Sequence, residues 1–89
     1  MISYRTRDGE EDYRFSIERQ PDGTLRIYIA SQPSYNSRSE AGHITHRLTD
    51  GDRKYICWDS PIRSKEDAKR IIALWADSTQ SYRKTGRTF

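Results

Sequence analysis

Cysteine is almost absent from the sequence: Cys57 stands alone among 89 residues. One cysteine cannot form a disulfide within the chain, so a reducing compartment is the default expectation. No apolar run approaches the roughly 20 residues that a membrane-spanning helix needs, and the first residues do not resemble a signal peptide. The sequence therefore predicts a cytoplasmic protein that does not enter a membrane.

Motifs that carry chemistry are missing as well. Neither a glycine-rich phosphate-binding pattern nor a Walker pattern is present. His43 and His46 are three residues apart, a spacing that directs them to opposite faces of a strand and disfavours a shared metal ion. Cys57 and His43 could meet on neighbouring strands, but no local motif supports a nucleophile. We expect no enzyme, no cofactor and no metal site.

The composition allows only a thin core. Apolar and charged residues each make up 33% of the chain, which suits one domain over residues 1–89 with one sheet face against one helix. A second copy would bury more apolar surface, so a homodimer is a candidate assembly. The net charge is +3, with twelve arginines and four lysines. Arginine suits phosphate and base recognition, although a GC-rich coding sequence also enriches it.

Residues 64–85 have the pattern of one long amphipathic helix. Ser64 is suited to the N-cap, and Gly86 is suited to the left-handed residue after the last turn. Trp75 lies at the middle of the apolar stripe and is the expected anchor on the sheet. Leu74 lies beside the stripe, either as an ordinary exposed leucine or as a contact with a second subunit. The stripe comprises Ala68, Ile71, Ile72, Trp75, Thr79 and Tyr82.

Strand patterns precede this helix. Apolar and polar residues alternate over 12–20, 24–30, 43–48 and 53–59, with turn residues between the first two and the last two segments. Residues 1–7 alternate weakly and could add a short strand. Residues 31–42 lack periodicity and are predicted to form a flexible loop.

The element order predicts an α+β fold: a four-stranded antiparallel meander with one C-terminal helix packed across one face. A single helix can cover only one side of the sheet. The side chains expected beneath it are Tyr13, Phe15, Ile17, Leu25, Ile27, Ile29, Ile44, Leu48, Ile56 and Trp58.

The opposite, open face is the candidate site. On this registration it carries Arg14, Arg26, Tyr28, Thr45, Arg47 and Tyr55. Rings interleaved with guanidinium groups suit single-stranded DNA or RNA, because bases stack on the rings while the cations meet phosphates. The loop residues Tyr35, Arg38 and His43 and the basic tail residues Arg83, Lys84 and Arg87 could add contacts.

Other interpretations of the open face stay open. Tyrosine, threonine and arginine are ordinary residues on a solvated sheet. They are also enriched at protein interfaces, so a protein partner or a second copy could dock there. We expect a non-catalytic binding module, most simply for nucleic acid. The alternative is a protein-interaction or regulatory subunit, such as an inhibitor encoded by a phage or mobile element.

In element order the chain is similar to the coactivator and Whirly group of single-strand-DNA binders. In that group a four-stranded sheet is followed by a helix, and the subunits dimerise. The resemblance covers residues 12–82 and rests on topology, with no sequence motif and no residue carried over. It implies a nucleic-acid-binding sheet and a dimer.

Overall fold

A computed structural model describes residues 1–89 as an antiparallel sheet with one long helix across one face. The α+β class is confirmed, and the weakly alternating N-terminal segment is a fifth strand. The strands are β1 (Ile2–Arg5), β2 (Asp12–Arg19), β3 (Leu25–Ser31), β4 (Arg47–Asp50) and β5 (Arg53–Ile56), and the helices are α1 (Gly42–Thr45) and α2 (Lys65–Thr85). No helix combines the length and the apolar character that crossing a bilayer requires.

The strand order departs from the expected meander at one place. The order is β1-β2-β3-β5-β4, so β5 rather than β4 pairs with β3. Tyr28 of β3 lies opposite Tyr55 of β5, and Leu48 of β4 lies on the outer side of Tyr55. The connection from β3 to β4 is long enough to carry the chain past the position of β5. The short hairpin then returns β5 into the gap.

The segment predicted as a third strand over 43–48 is only partly a strand. Its first half is the single helical turn α1, and His46 follows in the left-handed conformation at φ 56°. The strand begins at Arg47, after this turn. The indole N–H of Trp75 donates to the carbonyl of Thr45 at 3.0 Å. That long-range contact helps to hold the turn, and the local alternation contains no sign of it.

The ends of α2 match the prediction to within one residue. The hydroxyl of Ser64 accepts a hydrogen bond from the backbone N–H of Asp67 at 3.1 Å, as an N-cap should. Gly86 ends the helix at φ 79°, and its N–H donates to the carbonyl of Tyr82 at 2.8 Å. The cap residues therefore set the length of the helix.

Trp75 is the anchor of α2, as predicted. It is 2% exposed and packs edge-on against Tyr13 and Phe15 of β2, with ring centroids 6.0 and 5.9 Å away. Edge-to-face packing of this kind adds to the gain from burying the rings. The buried cluster around it comprises Tyr13, Phe15, Leu25, Ile27, Ile56, Ile62, Ala68, Ile71, Ile72, Trp75 and Ala76.

Three residues expected beneath α2 lie elsewhere. Ile44 is half-buried in α1, and Leu48 and Trp58 are exposed. The left-handed residue His46 changes the register of β4, so Leu48 shares the face of Tyr55. Trp58 follows the end of β5 and is outside the sheet.

The predicted flexible loop, residues 31–42, is attached to the C-terminal half of α2. Tyr35 is 4% exposed and packs on the ring of Tyr82, with centroids 5.9 Å apart. The guanidinium of Arg38 donates to the carbonyl of Arg83 at 3.1 Å, and the amide of Asn36 donates to the same carbonyl at 3.3 Å. These contacts use carbonyls near the end of α2, where the helix leaves acceptors without internal partners.

Candidate functional site

The open face of the sheet brings together three of the six residues predicted to lie on it. Tyr28 and Tyr55 are cross-strand partners with ring centroids 5.6 Å apart, and Arg26 lies over the ring of Tyr55 at 4.2 Å. Arg14 is exposed on the same face but lies further along β2, opposite Ser31. The prediction was wrong for Arg47, which pairs with the core residue Ile56 and so lies on the other face.

Arg47 belongs to the loop side of the molecule instead. Its guanidinium carbon lies 4.9 Å from the ring centroid of Tyr35, and its side chain is 11% exposed. It donates to Gln32 at 3.2 Å and pairs with Glu40 at 3.3 Å. Its neighbour Thr45, also expected on the open face, is fully buried. Thr45 is displaced because it lies in α1 instead of a strand, and Arg47 changes face because His46 before it is left-handed.

The loop residues of the predicted site differ in accessibility. Tyr35 is buried and Arg38 is half-buried, and both contact the last turns of α2. Only His43 is exposed, on the single turn α1. Tyr35 and Arg38 therefore position the loop rather than present a binding surface.

The aromatic and cationic groups of the open face are bonded to one another. The hydroxyl of Tyr28 donates to Asp50 at 2.6 Å, and Arg26 donates to that hydroxyl at 3.1 Å and pairs with Asp50 at 3.4 Å. The guanidinium carbon of Arg53 lies 3.5 Å from the centroid of the Tyr28 ring. As a result Tyr28 is only 4% exposed although no helix covers it.

Glu18 completes this network from β2. It forms an ion pair with Arg53 and accepts a hydrogen bond from Ser16 at 3.0 Å. The hydrogen bond from Arg53 is the main reason why the pKa of Glu18 lies below its ordinary value of 4.5. The two arginines stacked on the tyrosines therefore already have carboxylate partners within the chain.

A second surface holds most of the exposed apolar side chains. Large apolar residues are exposed at five positions, of which Trp58 is one, and three of the other four line cavities that Trp58 also lines. Leu48 shares a cavity of about 390 Å³ with Trp58, and Leu74 and Phe89 share one of about 470 Å³ with it. We call these four residues, Leu48, Trp58, Leu74 and Phe89, the Trp58 surface. Such clustering on a small protein is typical of an interaction site.

The backbone fixes Trp58 in this position. Directly before Trp58, the N–H of Cys57 donates to the carbonyl of His46 at 2.8 Å. Four residues after Trp58, the carbonyl of Ile62 accepts from the N–H of Leu25 at 2.7 Å. Ile62 is buried in the core. The segment is thus held at both ends, and Trp58, 39% exposed, lies between them at the edge of α2.

The largest cavity beside Trp58 also contains the single thiol. Cys57 is half-buried and lines the 470 Å³ cavity together with His46, Asp59 and Ser78. His43, the histidine considered as its partner, does not line this cavity. No group of three or more histidine, cysteine, aspartate or glutamate side chains is arranged to hold a metal ion. The cavity walls are mainly apolar and suit burial of a nonpolar group.

The alternation of apolar residues predicted Trp58 and Leu48 in the core, whereas both are exposed on this surface. Pro61 limits the strand, because proline cannot continue a ladder, but β5 ends five residues earlier at Ile56, so this signal does not place Trp58 outside the sheet. Leu74 was recognised as lying off the apolar stripe, and it is 56% exposed. Phe89 lies outside every predicted strand and helix, so no periodicity indicated its position.

Comparisons of the chain with protein-family models, curated proteins and solved structures found no match. The similarity in element order to the coactivator and Whirly group has no support from these comparisons, and the β5-β4 order interrupts the expected meander.

Proposed function

We propose that the protein is a non-catalytic protein-binding module that docks its partner on the Trp58 surface. The observation that supports this most is the convergence of Leu48, Leu74 and Phe89 on cavities shared with one exposed tryptophan. Tryptophan is one of the residues most enriched among the few that supply most of the binding energy of a protein interface. Backbone hydrogen bonds before and after Trp58 hold this segment in place, which lowers the conformational entropy that is lost on binding.

The proposal can be tested by quantitative affinity capture. The immobilised chain and its Trp58→Ala and Leu74→Ser variants would be incubated with nuclease-treated lysate, with Arg14→Ala as the matched control on the open face. Proteins that are retained by the parent chain and by Arg14→Ala, but lost from the other two, are the expected result. Equal retention by all four chains would contradict the proposal.

Nucleic-acid binding on the open face is the second candidate. Two features favour it: a tyrosine pair stacked with guanidinium groups, and Arg14, which is exposed and has no ion-pair partner. It ranks second because Arg26 and Arg53 are already paired with Asp50 and Glu18. A nucleic acid would have to displace these carboxylates to reach the rings.

Fluorescence anisotropy with labelled single-stranded DNA and RNA distinguishes the candidates. Binding that weakens steeply as salt rises, and that is lost in Tyr55→Ala and Arg14→Ala, would favour the open face. Leu74→Ser serves as the control, because Leu74 lies on α2 and lines no cavity with Arg26 or Tyr55. Absence of binding at low salt would remove the second candidate.

A further inference from the structure

The charges around the Trp58 surface bear on the nature of the partner. Asp59 lines the cavities on two sides of Trp58, and Asp22 lines one of them. Arg26 and Arg70 also line cavities beside Trp58, but they are paired with Asp50 and with Asp67 respectively.

Asp59 is the carboxylate left uncompensated. Asp22 accepts hydrogen bonds from Thr24, which lower its pKa, and the charge of nearby Arg63 lowers it further. Asp59 takes part in no hydrogen bond or ion pair within the chain, and it directly follows Trp58. A chain of net charge +3 therefore has a free negative group at the centre of its apolar surface.

An aromatic residue of the chain itself packs at the wall of the 470 Å³ cavity. Phe89 lines the 470 Å³ cavity and packs on the ring of His46, with centroids 4.7 Å apart. Arg87, two residues before it, is exposed. The segment therefore combines a bulky ring with a cation, the two properties that the apolar walls and the free carboxylate would select.

We infer that the partner presents a short segment in which a bulky apolar side chain is flanked by lysine or arginine. The apolar side chain packs beside Trp58 and Leu74, and the cation pairs with Asp59. This inference rests on the proposed function and names the chemistry of its partner. Phe89 lines the same cavity and supplies part of its apolar wall.

Peptide titration followed by NMR tests the inference on the intact chain. The probe is a ten-residue glycine-serine peptide containing Arg-Thr-Phe; in two matched peptides glutamate replaces the arginine or alanine replaces the phenylalanine. The two indole N–H signals give a direct readout, because Trp58 is exposed whereas Trp75 is bonded to Thr45. The expected result is a shift of the Trp58 signal with the basic aromatic peptide and little shift with the other two.

Variants of the chain define the role of charge. Asp59→Asn should weaken binding about two- to fivefold, the range of one partly screened ion pair. Asp52→Asn should leave binding unchanged, since Asp52 lies in the β4–β5 turn and lines none of the three cavities that Trp58 lines. Phe89→Ala should weaken binding, because it removes an apolar side chain from the wall of the 470 Å³ cavity.

The outcomes separate this inference from the proposed function. If the glutamate peptide shifts Trp58 as strongly as the arginine peptide, the inferred charge preference is wrong but the docking surface stands. If no peptide shifts Trp58 although capture depends on it, the inferred segment is wrong. If the Trp58 signal instead shifts with protein concentration alone, a second copy is the occupant and the inference is overturned.

Discussion

The two tryptophans offer a matched test of the fold, because one is the core anchor and the other is exposed. Trp75→Phe removes the indole N–H that donates to the buried carbonyl of Thr45 at 3.0 Å. It also leaves unfilled volume between Tyr13 and Phe15, whose centroids are 6.0 and 5.9 Å away. Trp58→Phe removes neither a buried hydrogen bond nor core volume.

The expected magnitude for Trp75→Phe follows from these two losses. An unsatisfied buried carbonyl costs about 1–3 kcal/mol. The smaller ring leaves a void worth about 1 kcal/mol more. The free energy of unfolding should therefore fall by about 2–4 kcal/mol, which is a large part of the roughly 4–13 kcal/mol expected for a chain of this length. Trp58→Phe should change it by less than about 0.5 kcal/mol.

Urea unfolding followed by far-ultraviolet circular dichroism is the appropriate assay, because it does not depend on the tryptophans themselves. The midpoint should fall by about 1–3 M for Trp75→Phe if the slope is near 1.5 kcal/mol per M. The midpoint of Trp58→Phe should coincide with that of the parent chain. Equal destabilisation by the two variants would refute the assignment of one tryptophan to the core and the other to the surface.

Three further predictions concern the ends of α2, the acid response and the open face. Gly86→Ala and Gly23→Ala both force alanine into a left-handed conformation, at φ 79° and φ 86°, and should each lose about 1 kcal/mol. Gly86→Ala should lose more in urea unfolding, because its added methyl would meet the Arg38 guanidinium at 2.5 Å and displace it from the carbonyls of Arg83 and Lys84, whereas Gly23 has open space; an equal loss would contradict that contact. Hydrogen bonds from the Thr6 hydroxyl and the backbone N–H of Glu10 hold the pKa of Asp8 below its ordinary value of 3.8. The ionised Asp8 carboxylate therefore contributes to stability above pH 3.8, and this contribution disappears as the pH falls through the folded-state pKa. Asp8→Asn should therefore be less stable than the parent chain at pH 7, with a difference in urea midpoint that narrows on acidification, and a constant difference would count against this linkage. Tyr28→Phe should lower the free energy of unfolding by about 1 kcal/mol through loss of the hydrogen bond to Asp50, and that loss should be smaller in a chain already carrying Asp50→Ala, which has no acceptor at that position; additive losses in this double-mutant cycle would show that the two groups are not coupled.

The sequence determined those features of the protein that depend on local periodicity and end signals. The helix α2 needed only its apolar stripe, Ser64 at one end and Gly86 at the other, because each acts within a turn of its own position. The strands β2 and β3 needed only their alternation and the turn residues between them. The choice of Trp75 as the anchor followed in the same way.

The candidate site could be predicted only in part. The alternation of side chains in β3 and β5, with its period of two, was enough to predict that Arg26, Tyr28 and Tyr55 lie on the open face. The sequence allowed Arg26 to pair across strands with Glu18 or a nearby aspartate, but it did not assign the observed partners, which are Asp50 for Arg26 and Glu18 for Arg53. Those contacts depend on β5 lying beside β3, and strand order depends on the path of a long connection.

Tertiary structure alone decided which large apolar residues remain outside the core. The contact of Trp75 with Thr45 accompanies a left-handed turn at His46, and that turn exchanges the faces of Arg47 and Leu48. The backbone bonds on either side of Trp58 hold it beyond the end of β5. Each of these contacts is between residues distant in sequence. A one-residue change of register moved Leu48 from the predicted core face to the open face, and the early end of β5 left Trp58 in solvent.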